Sequence, residues 1–188
     1  DVRLTAIEAS LREETGGATW REVFAPAWRR PLAVGIGLAV YQQVTGINVF
    51  LYYAPEIFKQ LGAGVDVALL QTIVVGAVNL LFTVAAIGLV DRWGRRPLMV
   101  AGSAGMGLCL AALGAAAQMH AVSGAMLVFV LGYIACFALS VGPVTWVILA
   151  EIFPTRVRGR ALSVATFCLW TANFAVSQTF PMLDEHPG

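Results

Sequence analysis

The sequence predicts an all-α membrane protein, and three observations carry that expectation. Of 188 residues, 59% are hydrophobic and 12% charged, whereas about a quarter of an ordinary soluble domain is charged. Five apolar runs, at 31–58, 67–90, 98–119, 124–150 and 160–182, each reach the roughly 20 residues that a spanning helix needs. Arginines gather at alternate junctions. Arg29 and Arg30 precede the first run, Arg92, Arg95 and Arg96 separate the second from the third, and Arg156, Arg158 and Arg160 lie between the fourth and the fifth. Lys59 is the only cation at an opposite-side junction. Under the positive-inside rule, residues 1–28 and the Arg-bearing loops are expected on the cytoplasmic side, with 184–188 at the extracytoplasmic end. The net charge of +1 leaves no basic excess for nucleic acid. Cys109, Cys136 and Cys168 are odd in number and far apart, so neither a disulfide framework nor a metal spacing is expected. His120 and His186 flank apolar runs and read as interface residues. The chain begins at Asp1 and stops after "LDEHPG", which reads as a piece of a longer polypeptide.

Taken in order, residues 1–28 form an amphipathic, interfacial segment. Leu4, Ile7 and Leu11 recur at helical spacing before Gly16 and Gly17. Trp20, Phe24 and Trp28 follow four residues apart, beside Arg21, Arg29 and Arg30, and suit the headgroup region. Residues 29–183 form the transmembrane bundle. Its first run holds "YQQVTGINVFLYYAP". Buried amides are costly unless partnered, so Gln42, Gln43 and Asn48 need another helix, a water-filled cavity or a ligand. On a straight helix at about 100° per residue, Asn48 lies roughly 120° from Gln42 and 140° from Gln43. Gly46, between them, is therefore expected to break the helix. The second run carries Thr72, Gly76, Asn79 and Thr83 on one stripe, and the fifth carries Thr166, Trp170, Asn173 and Ser177. In the third run Gly102, Ser103, Gly105 and Gly107 suit close helix packing. The fourth run contains Gly142 and Pro143, a second expected break. Interrupted helices opening two triplets of spans point towards a transporter binding site.

Two short connections combine charges with turn formers. In "DRWGRRP", Gly94 permits a tight reversal and Pro97 suits the first turn of the next helix. In "EIFPTRVRGR", an ion pair between Glu151 and Arg158 or Arg156 is expected. Topology alone requires positive charge but no acid in each cluster. The pattern therefore suggests a network that forms and releases as helices move.

The segments "QQVTGINVFLYYAPEIF", "DRWGRRP", "GPVTW" followed by "EIFPTRVRG", and "WTANF", in this order, resemble the sugar porters of the major facilitator superfamily. "LGAGVDVALLQTI" and "VSQTFPMLD" add a likeness to the bacterial D-xylose–proton symporters. The resemblance implies a partial major facilitator fold, with five spans corresponding to helices 7–11 of 12. It implies that residues 1–28 join two halves, and that the amino-terminal half is a missing partner. It also implies a sugar site lined by Gln42, Gln43, Asn48, Asn79, Trp146, Trp170 and Asn173, an outer gate at Tyr52 and Tyr53, and an inner charge network of Asp91, Arg92, Arg95, Arg96, Glu151, Arg156 and Arg158.

The chemistry of these residue types agrees. Amides offer donors and acceptors without charge, which suits a neutral polyol, and indole faces cover its C–H patches. No nucleophile or acid–base set appears, and Glu56, Asp91 and Glu151 sit at span ends, so the expectation is not an enzyme and no cofactor or metal. The reading is monosaccharide transport, of a pentose or hexose, by alternating access in an inner membrane, with a proton as the co-transported partner and the lipid bilayer as surroundings. The alternatives are a non-transporting sugar sensor on the same scaffold and an uncoupled facilitator.

Overall fold

The computed structural model describes residues 19–53, 55, 65–119 and 123–185. Among them every regular element is a helix: α1 Trp20–Val23, α2 Arg29–Val44, α3 Ile47–Tyr52, α4 Val65–Trp93, α5 Arg95–Gln118, α6 Ser123–Leu139, α7 Val141–Ile152 and α8 Thr155–Glu185. The expected amphipathic stretch around Leu4, Ile7 and Leu11 lies outside the described residues, as do Glu56, Lys59, His120 and His186.

Each predicted run is helical where it is described, and both expected breaks occur. α2 and α3 are one run interrupted at Gly46, whose φ of 82° lies in the left-handed region that glycine adopts without penalty. α6 and α7 are one run interrupted at Ser140. Pro143 there lies in the first turn of α7, where its missing N–H removes a donor that would have no helical partner. The one-residue reversal between α4 and α5 is Gly94, at φ 84°.

Two expectations change. Trp20, Phe24 and Trp28 do not share one helical stripe, because α1 ends at Val23 and the chain turns before α2. Val23 is buried with Phe153 and Val157 instead, which seats α1 on the start of α8. Among the described residues, four segments are long and apolar enough to cross a membrane: Arg29–Tyr52, Leu69–Trp93, Arg95–Gln118 and Met126–Ile152. The fifth predicted run lies in α8, the longest helix among the described residues at 31 residues. Its Thr, Asn, Ser and Gln residues make it less apolar than the other four.

The interrupted segment Met126–Ile152 is the most buried of the four. On one side of it, Leu32 and Ala39 of α2 and Ala161, Ala165 and Leu169 of α8 pack with Leu149 and Phe153. On the other, Val75 of α4 and Met106 of α5 meet Val130, Tyr133 and Ile134 of α6, and Val90 and Leu98 pack with Val144. Small residues set the closest approaches. A Cβ on Gly35 would meet Leu149 Cδ2 at 3.0 Å. On α5, a Cβ on Gly105 would meet the Cys136 thiol at 2.7 Å, and one on Gly102 would overlap Ser140 at the break. Ser103 accepts a hydrogen bond from Tyr41 Oη at 2.9 Å, tying α5 to α2. Gly107 faces open space. Ile73, Leu80, Leu81, Ile87, Leu108, Phe167 and Phe174 are exposed on the outside, an apolar surface that lipid or another protein surface would cover.

The third run thus divides into a packed face and an open face. Gly102→Ala, placing a methyl into Ser140, is expected to cost about 1–3 kcal/mol. Gly107→Ala, which adds a methyl in open space to a helix interior, is expected to leave stability unchanged or raise it by up to about 1 kcal/mol. Thermal unfolding of the two variants in the full-length protein checks this, and equal midpoints would contradict it.

Candidate functional site

A helix break at membrane depth frees backbone groups that have no water to meet. At Gly46 the freed carbonyls are taken up locally. Thr45 N–H donates to Tyr41 O at 3.2 Å and Gly46 N–H to Gln43 O at 3.0 Å. Thr45 Oγ1 donates to Gln42 O at 2.7 Å. Thr45 O accepts from the hydroxyl of Tyr133, a fully buried side chain on α6, at 2.7 Å. At the second break Ser140 closes the end of α6, its Oγ donating to Cys136 O at 2.6 Å and its N–H to Phe137 O at 3.1 Å.

The amides extend this bonding and link the two breaks. Gln42 Nε2 donates to Gly142 O at 2.9 Å and to Val141 O at 3.3 Å, both in the first turn of α7. Carbonyls only accept, so the NH2 must point there and Oε1 elsewhere. Asn48 Nδ2 donates to Gln43 Oε1 at 2.6 Å and to Asn173 Oδ1 at 2.9 Å. The other half of each amide is left over: Gln42 Oε1, Gln43 Nε2 and Asn48 Oδ1 have no hydrogen-bond partner among the described residues. None of the three is among the described side-chain atoms that are both buried and unpartnered, which are Gln71 Oε1, Arg95 Nε and Arg160 Nη1. Each therefore reaches open space.

That space is a cavity of about 370 Å³. It brings together Gln42, Gln43, Asn48, Asn79, Trp146 and Trp170, with Thr83 beside Asn79. Gln42 and Gln43 lie in the buried floor, while the two indoles are about half exposed at its mouth. Asn173 does not line the cavity. It is 8% exposed, accepts from Asn48, and takes a long contact of 3.4 Å from Ser177 Oγ. Thr72 and Gly76 of the α4 stripe also lie off the cavity wall. Tyr52 is exposed, and Tyr53 packs on Phe180 of α8 with ring centroids 5.2 Å apart.

The sequence did not mark Ile47, Leu51 or Phe137, which complete the lining with Ala138, Gly142, Pro143 and Leu169. Apolar residues in an apolar run carry no signal. Tyr133 was also missed, although a lone tyrosine hydroxyl in such a run needs a partner.

On the Arg-bearing side the ion pairs differ from the expected ones. Glu151 accepts from Arg95 at 2.6 Å, not from Arg156 or Arg158, and Arg95 also approaches Asp91 at 3.8 Å. Pro154 explains the difference. It forces Phe153 into an extended conformation, φ −109° and ψ 133°, which turns the start of α8 away from the end of α7. Arg156 pairs instead with Glu22 at 3.2 Å, and Arg158 Nε donates to Phe153 O at 3.1 Å. Arg160 lies over the Trp20 ring, 5.6 Å from its centroid. Arg92 and Arg96 are exposed and make no ion pair among the described residues.

With this geometry in place, comparison with known proteins is direct. The model of the family "Sugar (and other) transporter" matches residues 2–188. The D-xylose-proton symporter of Escherichia coli is 52% identical over 155 residues, covering 82% of this chain and 32% of the relative. The glucose facilitated diffusion protein of Zymomonas mobilis is 45% identical over 153 residues, covering 81% and 32%. A solved structure of a proton:xylose symporter of the major facilitator superfamily superposes with a TM-score of 0.76 at 52% identity, covering 82% of this chain and 32% of that one. The chain thus spans about a third of the length of these relatives. It has the helices of a partial major facilitator fold and belongs to the sugar (and other) transporter family.

Proposed function

We propose that the chain is the carboxy-terminal part, helices 7–11 of 12, of a transporter that carries one neutral monosaccharide, a pentose or hexose, across a cell (inner) membrane by alternating access. The observation that carries this reading is the cavity floor. Three amides there are held by protein through one end and present the other to open space. A hydroxyl both donates and accepts, so it can meet Gln42 Oε1, Gln43 Nε2 or Asn48 Oδ1. None of these groups is charged, so binding stays weak enough to reverse. The indoles of Trp146 and Trp170 offer flat apolar faces to the C–H side of a ring. A second half, lying outside this chain, is the partner we assign to close the cavity.

In this reading the Arg-bearing side is cytoplasmic, and residues 1–28 link the halves. The contacts Glu22–Arg156 and Trp20–Arg160 tie that link to α8. The bridge from Arg95 to Glu151 and Asp91 holds the inner ends of α4, α5 and α7 in one state of the cycle. Tyr52 and Tyr53 stand at the opposite end, as an outer gate. We assign proton symport as the coupling, on the named activity of the Escherichia coli relative. Uncoupled facilitation is the second reading, favoured by the named activity of the Zymomonas relative.

Uptake by the full-length protein in vesicles tests the proposal. D-xylose or D-glucose should enter, and an inward proton gradient should drive accumulation. Saturable entry without accumulation would support the facilitator instead. Gln43→Ala is expected to insert normally and to weaken sugar binding by about 10- to 100-fold, the loss of one or two buried hydrogen bonds. Unchanged affinity would refute its role.

Glu151→Gln tests the inner network separately. An exposed pair contributes up to about 1 kcal/mol, so turnover should change by about two- to fivefold while binding affinity stays constant. An unaltered uptake rate would count against the switch.

A further inference from the structure

The contact between α5 and α6 holds a pair of thiols that the cavity does not use. Residues that ascend along α5 meet residues that descend along α6: Gly102 meets Ser140, Gly105 meets Cys136 and Cys109 meets Gly132. The two helices therefore run antiparallel. A Cβ on Gly105 would meet Cys136 Sγ at 2.7 Å, and one on Gly132 would meet Cys109 Sγ at 3.0 Å. Each sulfur thus sits in the notch of a glycine one turn before the other cysteine. Helical side chains lean towards the N-terminus of their own helix, and in an antiparallel pair that tilts the two sulfurs together. The thiols interact with each other across the interface. Both cysteines are free and half-buried.

The offset decides what this pair can hold. Four residues of helix separate the two levels by about 6 Å along the axis. With a lateral van der Waals separation of about 3.5–4 Å, the Cα atoms lie about 7 Å apart, at the limit beyond which a disulfide needs backbone movement. An ion between the sulfurs spans the offset more easily. Among the described residues no group of three histidine, cysteine or acidic side chains could hold a metal, so zinc, which takes four ligands, has too few. A soft ion that accepts two sulfurs in a line has enough. Ligating thiols are deprotonated. Two thiolates with a divalent ion make a neutral unit, whereas a monovalent ion would leave a net negative charge at membrane depth, which is costly.

We propose that Cys109 and Cys136 form a binding site for one soft divalent cation of linear preference, the mercuric ion, which bridges α5 to α6. With mercuric chloride, two Hg–S bonds form, two S–H and two Hg–Cl bonds break, and two protons and two chlorides leave; nothing is oxidised or reduced. The bridge lies one turn from Ser140, whose Oγ bonds Cys136 O, and fastens α6 to α5 beside its break. The site is separate from the cavity and does not depend on what the cavity binds.

The test uses the reduced full-length protein with mercuric chloride as the probe and glutathione, a monothiol, as competitor. The glutathione concentration that strips the ion measures how tightly it is held. Cys109→Ser and Cys136→Ser should each weaken retention by about 100-fold or more, the gain that a second linked ligand supplies, and the double variant should lose no more of this site than either single one. Cys168→Ser should leave retention of this ion unchanged. Crystals of the wild-type protein soaked in mercuric chloride should show an anomalous scattering peak between Cys109 Sγ and Cys136 Sγ. The proposal is overturned if the two serine variants weaken retention independently, as two single-thiol adducts would. It is equally overturned if mercury in the wild-type crystals sits on one sulfur alone or on neither, a result that does not depend on either variant folding.

Discussion

Backbone groups freed inside a membrane must be bonded by protein, and that requirement organises this bundle. Two helices are interrupted, at Gly46 and at Ser140. Each freed group left alone in hydrocarbon would cost several kcal/mol, by order of magnitude. The sequence answers with Thr45 and Ser140 at the breaks themselves, and with Tyr133 reaching from α6 to Thr45 O. Gln42 then joins the two breaks by bonding the first turn of α7. The interruptions hold each other, and the surrounding clusters of apolar side chains pack around a polar joint that is nearly complete within the protein.

That arrangement gives the joint its chemical use. A straight helix would direct Gln42, Gln43 and Asn48 to different sides. The left-handed turn at Gly46 lets all three line one cavity. Because each amide is fixed through one atom, its other atom is held ready at little further loss of side-chain freedom. The close seats at Gly35 and Gly102 keep α2 and α5 against α7 and the Ser140 break, so the joint is supported from behind by packing as well as by hydrogen bonds.

Much of this was legible in the sequence for identifiable reasons. A glycine between amides and a Gly-Pro pair in apolar runs are local signals with local consequences, and both breaks were readable from them. The cavity amides were readable because a polar group at membrane depth needs a partner. Partners distant in the chain were not. The bond from Asn48 to Asn173 depends on how α3 meets α8, and the pairing of Glu151 with Arg95 depends on the turn at Pro154. The stripe on α8 was misjudged for the same reason: its amide faces another helix. Apolar lining such as Ile47 and Phe137 looks like any other residue in its run until the cavity is seen.

The central claim is that the outward halves of these amides exist to meet hydroxyl groups. A structure of the full-length protein with a bound monosaccharide measures this directly. The account predicts sugar oxygens within about 2.7–3.2 Å of Gln42 Oε1, Gln43 Nε2 or Asn48 Oδ1, with the Gln42–Gly142 bond retained. A sugar bound elsewhere, or these three atoms turned onto protein partners with no ligand beside them, would contradict it.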